Sequence, residues 1–126
     1  MSGLLLDSHV LIWWMQDPGL IAAPARETIR AAEVSVAVST VALWEIAIKE
    51  SNGKLKVDGD LWENMQREDM HLLPVFVQHI EIIKTLPFYH LDPFDRIMIA
   101  QAQREDMTMV TRDRFISAYD VKVLPA

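Results

Sequence analysis

The sequence predicts an α/β fold in which a parallel sheet is covered by helices on both faces. Short apolar runs rich in leucine or valine alternate with longer segments of helical character, which is the arrangement of such folds. The 126 residues include 51% hydrophobic and 24% charged side chains, as expected for one folded unit with a sizeable core. Internal repeats and linker-like stretches are absent from the sequence. We therefore expect a single domain that spans residues 1–126.

Composition and charge exclude several classes of protein. Apolar runs fall short of the ~18 residues that a membrane span needs, and the first residues lack the basic and apolar regions of a secretory signal. The sequence contains no cysteine, which excludes disulfides, zinc–thiolate sites and a cysteine nucleophile. The net charge of −6 argues against passive coating of nucleic acid. We expect a cytoplasmic protein that does not associate with membranes.

In the first half of the chain, two strand-like segments alternate with three helical ones. The apolar run Gly3–Leu6 has the length of a buried strand, and the segment Val34–Ser39 alternates and is rich in valine. Pro24 suits the first turn of a helix, and Thr40 precedes another helix. The predicted elements are strand 3–6, helix 8–15, helix 23–32, strand 34–39 and helix 41–49.

The second half continues the alternation. Asp60 is a candidate cap for a short helix, and Pro87 closes a later one. Asp92 and Pro93 form a typical helix start, and the helix behind them is apolar almost all the way round, which predicts burial. The predicted elements are helix 61–69, strand 71–75, helix 76–86, helix 93–103, strand 107–111, a one- or two-turn helix 115–119 and strand 121–124.

Four acidic residues occupy positions that can meet at one edge of the predicted sheet. Asp7 and Asp113 end strands, Asp95 starts a helix and lies 18 residues before Asp113, and Glu45 lies in an apolar helix that follows a strand. Strand ends and the starts of following helices share one edge of a parallel sheet. Two simpler roles remain open: Asp7 is equally suited to cap a helix, and Glu45 to pair on the surface with Lys49, which is worth only ~0.3 kcal/mol.

A cluster of four carboxylates predicts a specific chemistry. Ionised carboxylates in one cleft repel one another unless a cation binds or some of them are protonated. Oxygen ligands suit hard divalent ions, so the expected cofactor is Mg²⁺ or Mn²⁺. One or two such ions promote hydrolysis of a phosphodiester. Motifs for nucleotide-binding loops, zinc proteases and serine hydrolases are absent.

Five motifs, taken in series, resemble the PIN domain and, more narrowly, the VapC-type toxins of toxin–antitoxin pairs. Each motif alone is weak, but together they span nearly the whole chain in the right order and spacing. They are LLLDSHVLIW at 4–13, STVALWEIAIK at 39–49, GKL at 53–55, DPFDRIMIAQA at 92–102 and VTRD at 110–113.

The resemblance implies a five-stranded parallel sheet between helices and a metal-dependent endoribonuclease. It implies that Asp7, Glu45, Asp95 and Asp113 are the catalytic, metal-binding acids. It also implies tRNA, rRNA or mRNA targets, a homodimer, and inhibition by a cognate antitoxin.

Residues beside these acids are candidates for supporting roles or substrate contacts. Ser8 stands where the family often has threonine and keeps the hydroxyl. Asp92 is either a ligand or only a helix cap, and His9 is a candidate because it lies two residues after Asp7. Three arginines are suited either to pair with the acids or to contact the RNA backbone; they are Arg96, Arg112 and Arg114.

The adjacent Trp13 and Trp14 suit core and groove packing better than base stacking. By the resemblance, they are candidates for a groove that receives an apolar arm of the antitoxin, which would place a basic residue at the carboxylates.

Two other functions are compatible with this fold class. One is a catalytically inactive PIN-fold subunit that binds RNA or protein, although all four acids are present. The other is a receiver-like phosphotransfer domain, which needs a lysine at a late strand end. Lys122 instead lies inside its strand, which disfavours this function.

Overall fold

A five-stranded parallel sheet forms the centre of the molecule in the computed structural model, which describes residues 3–31 and 33–126. Met1, Ser2 and Ala32 lie outside the described residues, so the predicted ends at residues 1 and 32 fall there. Neighbouring strands follow the order β3-β2-β1-β4-β5, and every pairing is parallel. The strands are β1 (Leu4–Leu6), β2 (Val36–Ser39), β3 (His71–Leu73), β4 (Thr108–Thr111) and β5 (Lys122–Pro125).

Six α-helices connect and flank these strands in the described part of the chain. Side-chain oxygens cap several of their first turns: Asp7 accepts from the Val10 N–H, and Ser39 accepts from the Val41 N–H. Short 3-10 turns lie at Pro18–Leu20 and Ile116–Ala118. The helices are α1 (Ser8–Gln16), α2 (Ala23–Arg30), α3 (Thr40–Ser51), α4 (Leu61–Arg67), α5 (Val77–Ile83) and α6 (Pro93–Glu105).

The core confirms the predicted α/β class. All three residues of β1 are buried, as expected for a central strand covered on both faces. The apolar helix predicted after Pro93 is also buried: Met98, Ile99 and Ala100 are inaccessible to solvent. Among the described residues, the helices are too short or too polar to cross a membrane.

Prolines and one left-handed residue account for the main differences from the predicted boundaries. Strand β3 ends one residue before Pro74, which has no N–H for the sheet, so the predicted strand 71–75 is too long. Helix α5 ends at Ile83, three residues earlier than predicted, and a short turn leads to Pro87. Helix α6 runs on to Glu105 because Asp106 supplies a left-handed cap, with φ of 54°.

The strand order places a switch point at the centre of the sheet. The chain moves outward from β1 through β2 to β3, then returns to pair β4 with the other side of β1. Asp7 directly follows β1, and Asp113 lies two residues beyond β4. Ligands of open α/β sheets bind beside the carboxyl ends of strands at such a point.

Candidate functional site

A pocket of about 420 Å³ opens at the switch point and contains all four predicted acids. It also contains four of the predicted neighbouring residues and one of the two tryptophans. Its lining is formed by Asp7, Ser8, His9, Trp13, Glu45, Lys49, His90, Asp92, Asp95, Arg112 and Asp113. The topology therefore brings together side chains that are up to 106 positions apart in the sequence.

Asp7 is held through both of its carboxylate oxygens. One carboxylate oxygen, Oδ1, accepts the Val10 N–H at 2.9 Å and so caps α1. The other, Oδ2, accepts the Thr111 hydroxyl at 2.5 Å. The same hydroxyl oxygen accepts the Asp113 N–H at 3.0 Å, so Thr111 links the two acids at the ends of β1 and β4. Asp7 is both a helix cap and part of the pocket wall.

Glu45 is a buried carboxylate with two side-chain partners. The Ser8 hydroxyl donates to its Oε1 at 2.7 Å, and the Lys49 ammonium lies 3.1 Å from its Oε2. The pairing with Lys49 is therefore present, but Glu45 is only 9% exposed and faces the pocket. The contact with Ser8 ties the start of α1 to the second turn of α3.

Asp95 and Asp113 are joined by a histidine. The Nε2 atom of His90 lies 3.1 Å from Oδ2 of Asp95 and 2.7 Å from Oδ2 of Asp113. These three atoms all lie within 4.8 Å of one another. The second oxygen of Asp113, Oδ1, accepts the Phe115 N–H at 2.9 Å. Asp92 lies beside them and caps α6, because its Oδ1 accepts the N–H groups of Phe94 and Asp95.

Burial and mutual repulsion raise the pKa values of two of the acids. Burial, followed by the neighbouring Asp92, raises the pKa of Asp95 from 3.8 to about 7; His90 opposes this rise, and Glu45 and Asp7 add to it. Burial also raises the pKa of Asp7, against the hydrogen bonds from Thr111 and Val10. A cation that bound in the pocket would relieve this penalty on the charged forms.

The three arginines have separate positions. Arg96 is buried, and its guanidinium donates to the carbonyls of Leu86, Pro87 and His90. Arg96 therefore lies outside the pocket wall and contacts the loop before α6, because adjacent residues of a helix point in different directions; its role beside the acids or toward RNA stays a prediction.

The other two arginines are exposed. Arg112 lines the pocket, where it stacks over Trp13 with its guanidinium carbon 4.3 Å from the ring centroid and donates to main-chain oxygens of Leu20 and Ala126. Arg114 follows Asp113 and points into solvent.

The two tryptophans face different cavities. Trp13 lies in the wall of the acidic pocket and of an adjoining, more apolar groove that also contains Ile12 and Leu55. Trp14 lies in a separate cavity, beside Arg30 at 5.6 Å. His9 is exposed at the rim of the acidic pocket, with its ring 5.9 Å from that of Trp13. The structure therefore divides the predicted groove and leaves only Trp13 beside the acids.

Two residues of the site were missed by sequence reasoning. His90 lies five positions before Asp95 and two before the helix cap Asp92. That position could have indicated it, because a side chain just ahead of a helix can reach the first turn. Thr111 ends a buried strand two residues before Asp113, and a hydroxyl at that position is suited to join the two strand ends.

The donor set fits a hard divalent cation. Five of the eleven residues that line the pocket are acids, whose carboxylate oxygens Mg²⁺ and Mn²⁺ prefer. Lys49 and Arg112 line the same pocket but engage Glu45 and main-chain oxygens, respectively. The excess of acids over bases around one cavity is the arrangement that a bound cation would stabilise.

Comparisons with known proteins agree with this fold. Residues 4–122 match the PIN domain family. Ribonuclease VapC22 of Mycobacterium tuberculosis is 26% identical over 122 residues, which cover 94% of this chain and 93% of the relative.

Solved structures show the same fold. The DNA-bound VapBC complex of Salmonella typhimurium contains a chain that superposes with a TM-score of 0.74 at 13% identity, with 99% of this chain and 98% of that one covered. A chain of VapBC2 from Rickettsia felis, bound to a promoter DNA fragment, gives a TM-score of 0.72 at 14% identity, with 97% of each chain covered.

Together, the parallel sheet and the acidic pocket at its switch point define an α/β protein with a candidate metal site. The chain belongs to the PIN domain family.

Proposed function

We propose that this chain is the VapC-type toxin of a toxin–antitoxin pair and a divalent-metal-dependent endoribonuclease. We assign metal binding and catalysis to Asp7, Glu45, Asp95 and Asp113, with Mg²⁺ or Mn²⁺ as the cofactor. We further propose that residues 1–126 form one PIN domain and that it acts in the cytoplasm, where its RNA substrate is found. The observation that carries the proposal is the convergence of the four acids in one pocket at the switch point.

The residues around the pocket support this assignment through their contacts. When bound, a divalent ion offsets the negative charge of a phosphate and makes a water molecule more acidic. Thr111 and Ser8 hold Asp7 and Glu45 in fixed positions by donating hydroxyl hydrogens to them. Lys49 and Arg112 are the cations in the pocket wall, and we expect them to reduce the repulsion between an RNA backbone and the acids.

A cognate antitoxin is the proposed protein partner. The relatives in the solved structures are VapBC complexes, and the apolar groove beside the acids has a volume of about 290 Å³. We place an apolar arm of the antitoxin against Ile12, Trp13 and Leu55, with a basic residue directed at the carboxylates. For the proposed homodimer, we favour the exposed apolar side chains of Leu72, Phe76, Val77 and Ile80 at the edge of the sheet.

The nuclease proposal is tested by incubating the purified, antitoxin-free protein with total cellular RNA in Mn²⁺, in Mg²⁺ and in chelator. We expect discrete fragments that require metal and that disappear with Asp95→Asn. Asp58→Asn is the matched control, because Asp58 is exposed and its substitution removes the same charge outside the pocket wall. Metal-independent fragments, or equal cleavage by folded Asp95→Asn, would contradict the proposal and favour the non-catalytic function.

The position of the antitoxin is tested by comparing Trp13→Ala with Trp14→Ala. Trp13 borders the proposed groove and Trp14 does not, so the two substitutions remove the same side chain from different cavities. We expect Trp13→Ala to weaken antitoxin binding by at least about 30-fold, the size of a typical interface hot spot. Equal effects of the two variants in a calorimetric titration would argue against this groove.

A further inference from the structure

His90 has contacts on both ring nitrogens that determine which of them carries the proton. Its Nδ1 lies 3.1 Å from the main-chain nitrogen of Asp92 and accepts that N–H. A nitrogen that accepts a hydrogen bond carries no proton, so the proton of the neutral ring is on Nε2. Nε2 therefore donates to Oδ2 of Asp113 at 2.7 Å, and Oδ2 of Asp95 lies 3.1 Å from the same nitrogen. A flipped ring would place carbon atoms at both contacts, which excludes that orientation.

The main chain around His90 is held by a second set of contacts. The His90 N–H donates to the Tyr119 hydroxyl at 2.8 Å, and its carbonyl accepts from Arg96 at 3.3 Å. The Phe115 ring packs against the imidazole edge at 5.7 Å between centroids. Buried Arg96, which donates to three carbonyls of this loop, therefore fixes the position of the histidine.

A histidine beside carboxylates can either bind a metal ion or donate a hydrogen bond to the acids, and the contacts of His90 distinguish these two roles. A metal-binding nitrogen must present a lone pair, but the Nε2 of this ring presents a hydrogen. Its hydrogen bond uses one lone pair of the Asp113 Oδ2 atom, and further lone pairs of Asp113 and of the neighbouring Asp95 stay free. The ring is thus arranged to orient the two acids and not to bind an ion itself.

We propose that His90 is a positioning residue of the metal site, whose Nε2–H holds Asp95 and Asp113 in the orientation that receives a divalent cation. This inference rests on the proposed metal-dependent function, and it names the residue that positions two of the proposed metal ligands. Hydrogen-bond partners of metal ligands typically contribute about 10- to 100-fold to metal affinity.

The test measures Mn²⁺ binding to the full chain, stripped of metal and antitoxin, from the electron paramagnetic resonance signal of free Mn²⁺. We expect His90→Leu to weaken Mn²⁺ binding by about 10- to 100-fold. His90→Gln, whose amide can donate from a similar position, should recover most of that loss. His71→Leu is the matched control, because His71 is exposed on β3, and it should bind Mn²⁺ as the unmodified protein does. Thermal unfolding in chelator checks that each variant is folded.

Unchanged or tighter Mn²⁺ binding by folded His90→Leu would overturn the inference. A directly bonded ¹⁴N, detected by electron spin echo spectroscopy in the unmodified protein and lost in His90→Leu, would also overturn it, since His90 and not His9 would then be a ligand. Asp95→Asn, measured in parallel, separates the two proposals. If it binds Mn²⁺ normally, the metal site itself is refuted; if it loses binding while His90→Leu keeps it, only the role of His90 is refuted.

Discussion

The two halves of the acidic pocket are held in different ways. The inner half, defined as Asp7, Ser8, Glu45 and Thr111, lies between α1, α3 and the end of β4, and hydroxyl groups donate to both of its acids. The outer half, defined as His90, Asp95 and Asp113, depends on one imidazole N–H that donates to Asp113 and lies 3.1 Å from Asp95. The Glu45 side chain is 11% exposed, whereas that of Asp113 is 30% exposed.

This difference indicates how a fold can place several carboxylates together. In the inner half, hydroxyl groups, the start of a helix and the Lys49 ammonium contact the two carboxylates directly, although burial still raises the pKa of Asp7. In the outer half, burial raises the pKa of Asp95 most, three other acids raise it further, and one histidine lowers it. We infer that the inner half is set by folding, while the outer half has most to gain from a bound cation.

The largest expected effect is a change in the pH dependence of the free energy of unfolding when Asp95 is replaced and metal is absent. The pKa of Asp95 is raised from 3.8 to about 7 in the folded protein, so its protonated form favours folding. This contribution is fully present below pH 4 and is lost as the pH rises through about 7. We expect Asp95→Asn to remove this fall in the free energy of unfolding, measured with urea in chelator. An unchanged pH profile in the variant would show that Asp95 is not the group responsible.

Replacement of an acid by alanine should affect stability in opposite directions in the two halves. Asp7→Ala removes a helix cap and the partner of Thr111, and these losses outweigh the relief from burying a carboxylate whose pKa is raised, so we expect a loss of about 1 kcal/mol. Asp95→Ala removes a carboxylate whose charged form is penalised, so at pH 8 we expect unchanged or higher stability in chelator. Urea unfolding at that pH compares the two. Equal losses would mean that the halves do not differ as described.

Thr111→Val tests the link between the ends of β1 and β4. Valine keeps the shape of the side chain but removes the hydroxyl that contacts both Asp7 and the Asp113 N–H. We expect a loss of about 1.5 kcal/mol, because a buried carboxylate loses a hydrogen-bond donor. Thr108→Val on the same strand is the control for the change in side-chain chemistry. A loss no greater than that of the control would show that Thr111 does not link the ends of β1 and β4.

The smallest expected effect is that of Lys49→Met. The ammonium lies 3.1 Å from Glu45 but is partly exposed, and such pairs one helical turn apart contribute less than about 0.5 kcal/mol. We expect a similarly small change for Lys84→Met, which removes the exposed pair with Glu81. A loss several times larger for Lys49→Met in urea unfolding would show that Glu45 depends on its cation more than on Ser8.

The alternation of apolar and helical segments predicts the fold and the convergence of the four acids. It predicts much less about the contacts that surround these acids. Asp7, Asp95 and Asp113 lie at the ends of elements, and the parallel topology that the alternation predicts brings such ends together. The sheet order and the family relationship agree with that expectation.

The remaining contacts depend on side-chain direction and loop path, which local sequence does not specify. Arg96 is adjacent to Asp95 in sequence but turns toward a loop, and Trp13 and Trp14 separate for the same reason. His90 reaches Asp113 only because Arg96 and Tyr119 fix the path of the loop before α6. His90 and Asp113 are 23 residues apart, and no regular spacing in the sequence predicts a contact that depends on the path of a loop.

The proposed metal site in the acidic pocket is tested most directly by locating Mn²⁺ through anomalous scattering. The experiment uses crystals of the antitoxin-free protein soaked in the ion. We expect an anomalous peak between the inner and outer halves, within bonding distance of the carboxylates of Asp7, Glu45, Asp95 and Asp113. We also expect the peak to disappear in Asp95→Asn crystals. Mn²⁺ bound elsewhere, or a pocket without a peak in crystals that contain saturating Mn²⁺, would contradict the metal site.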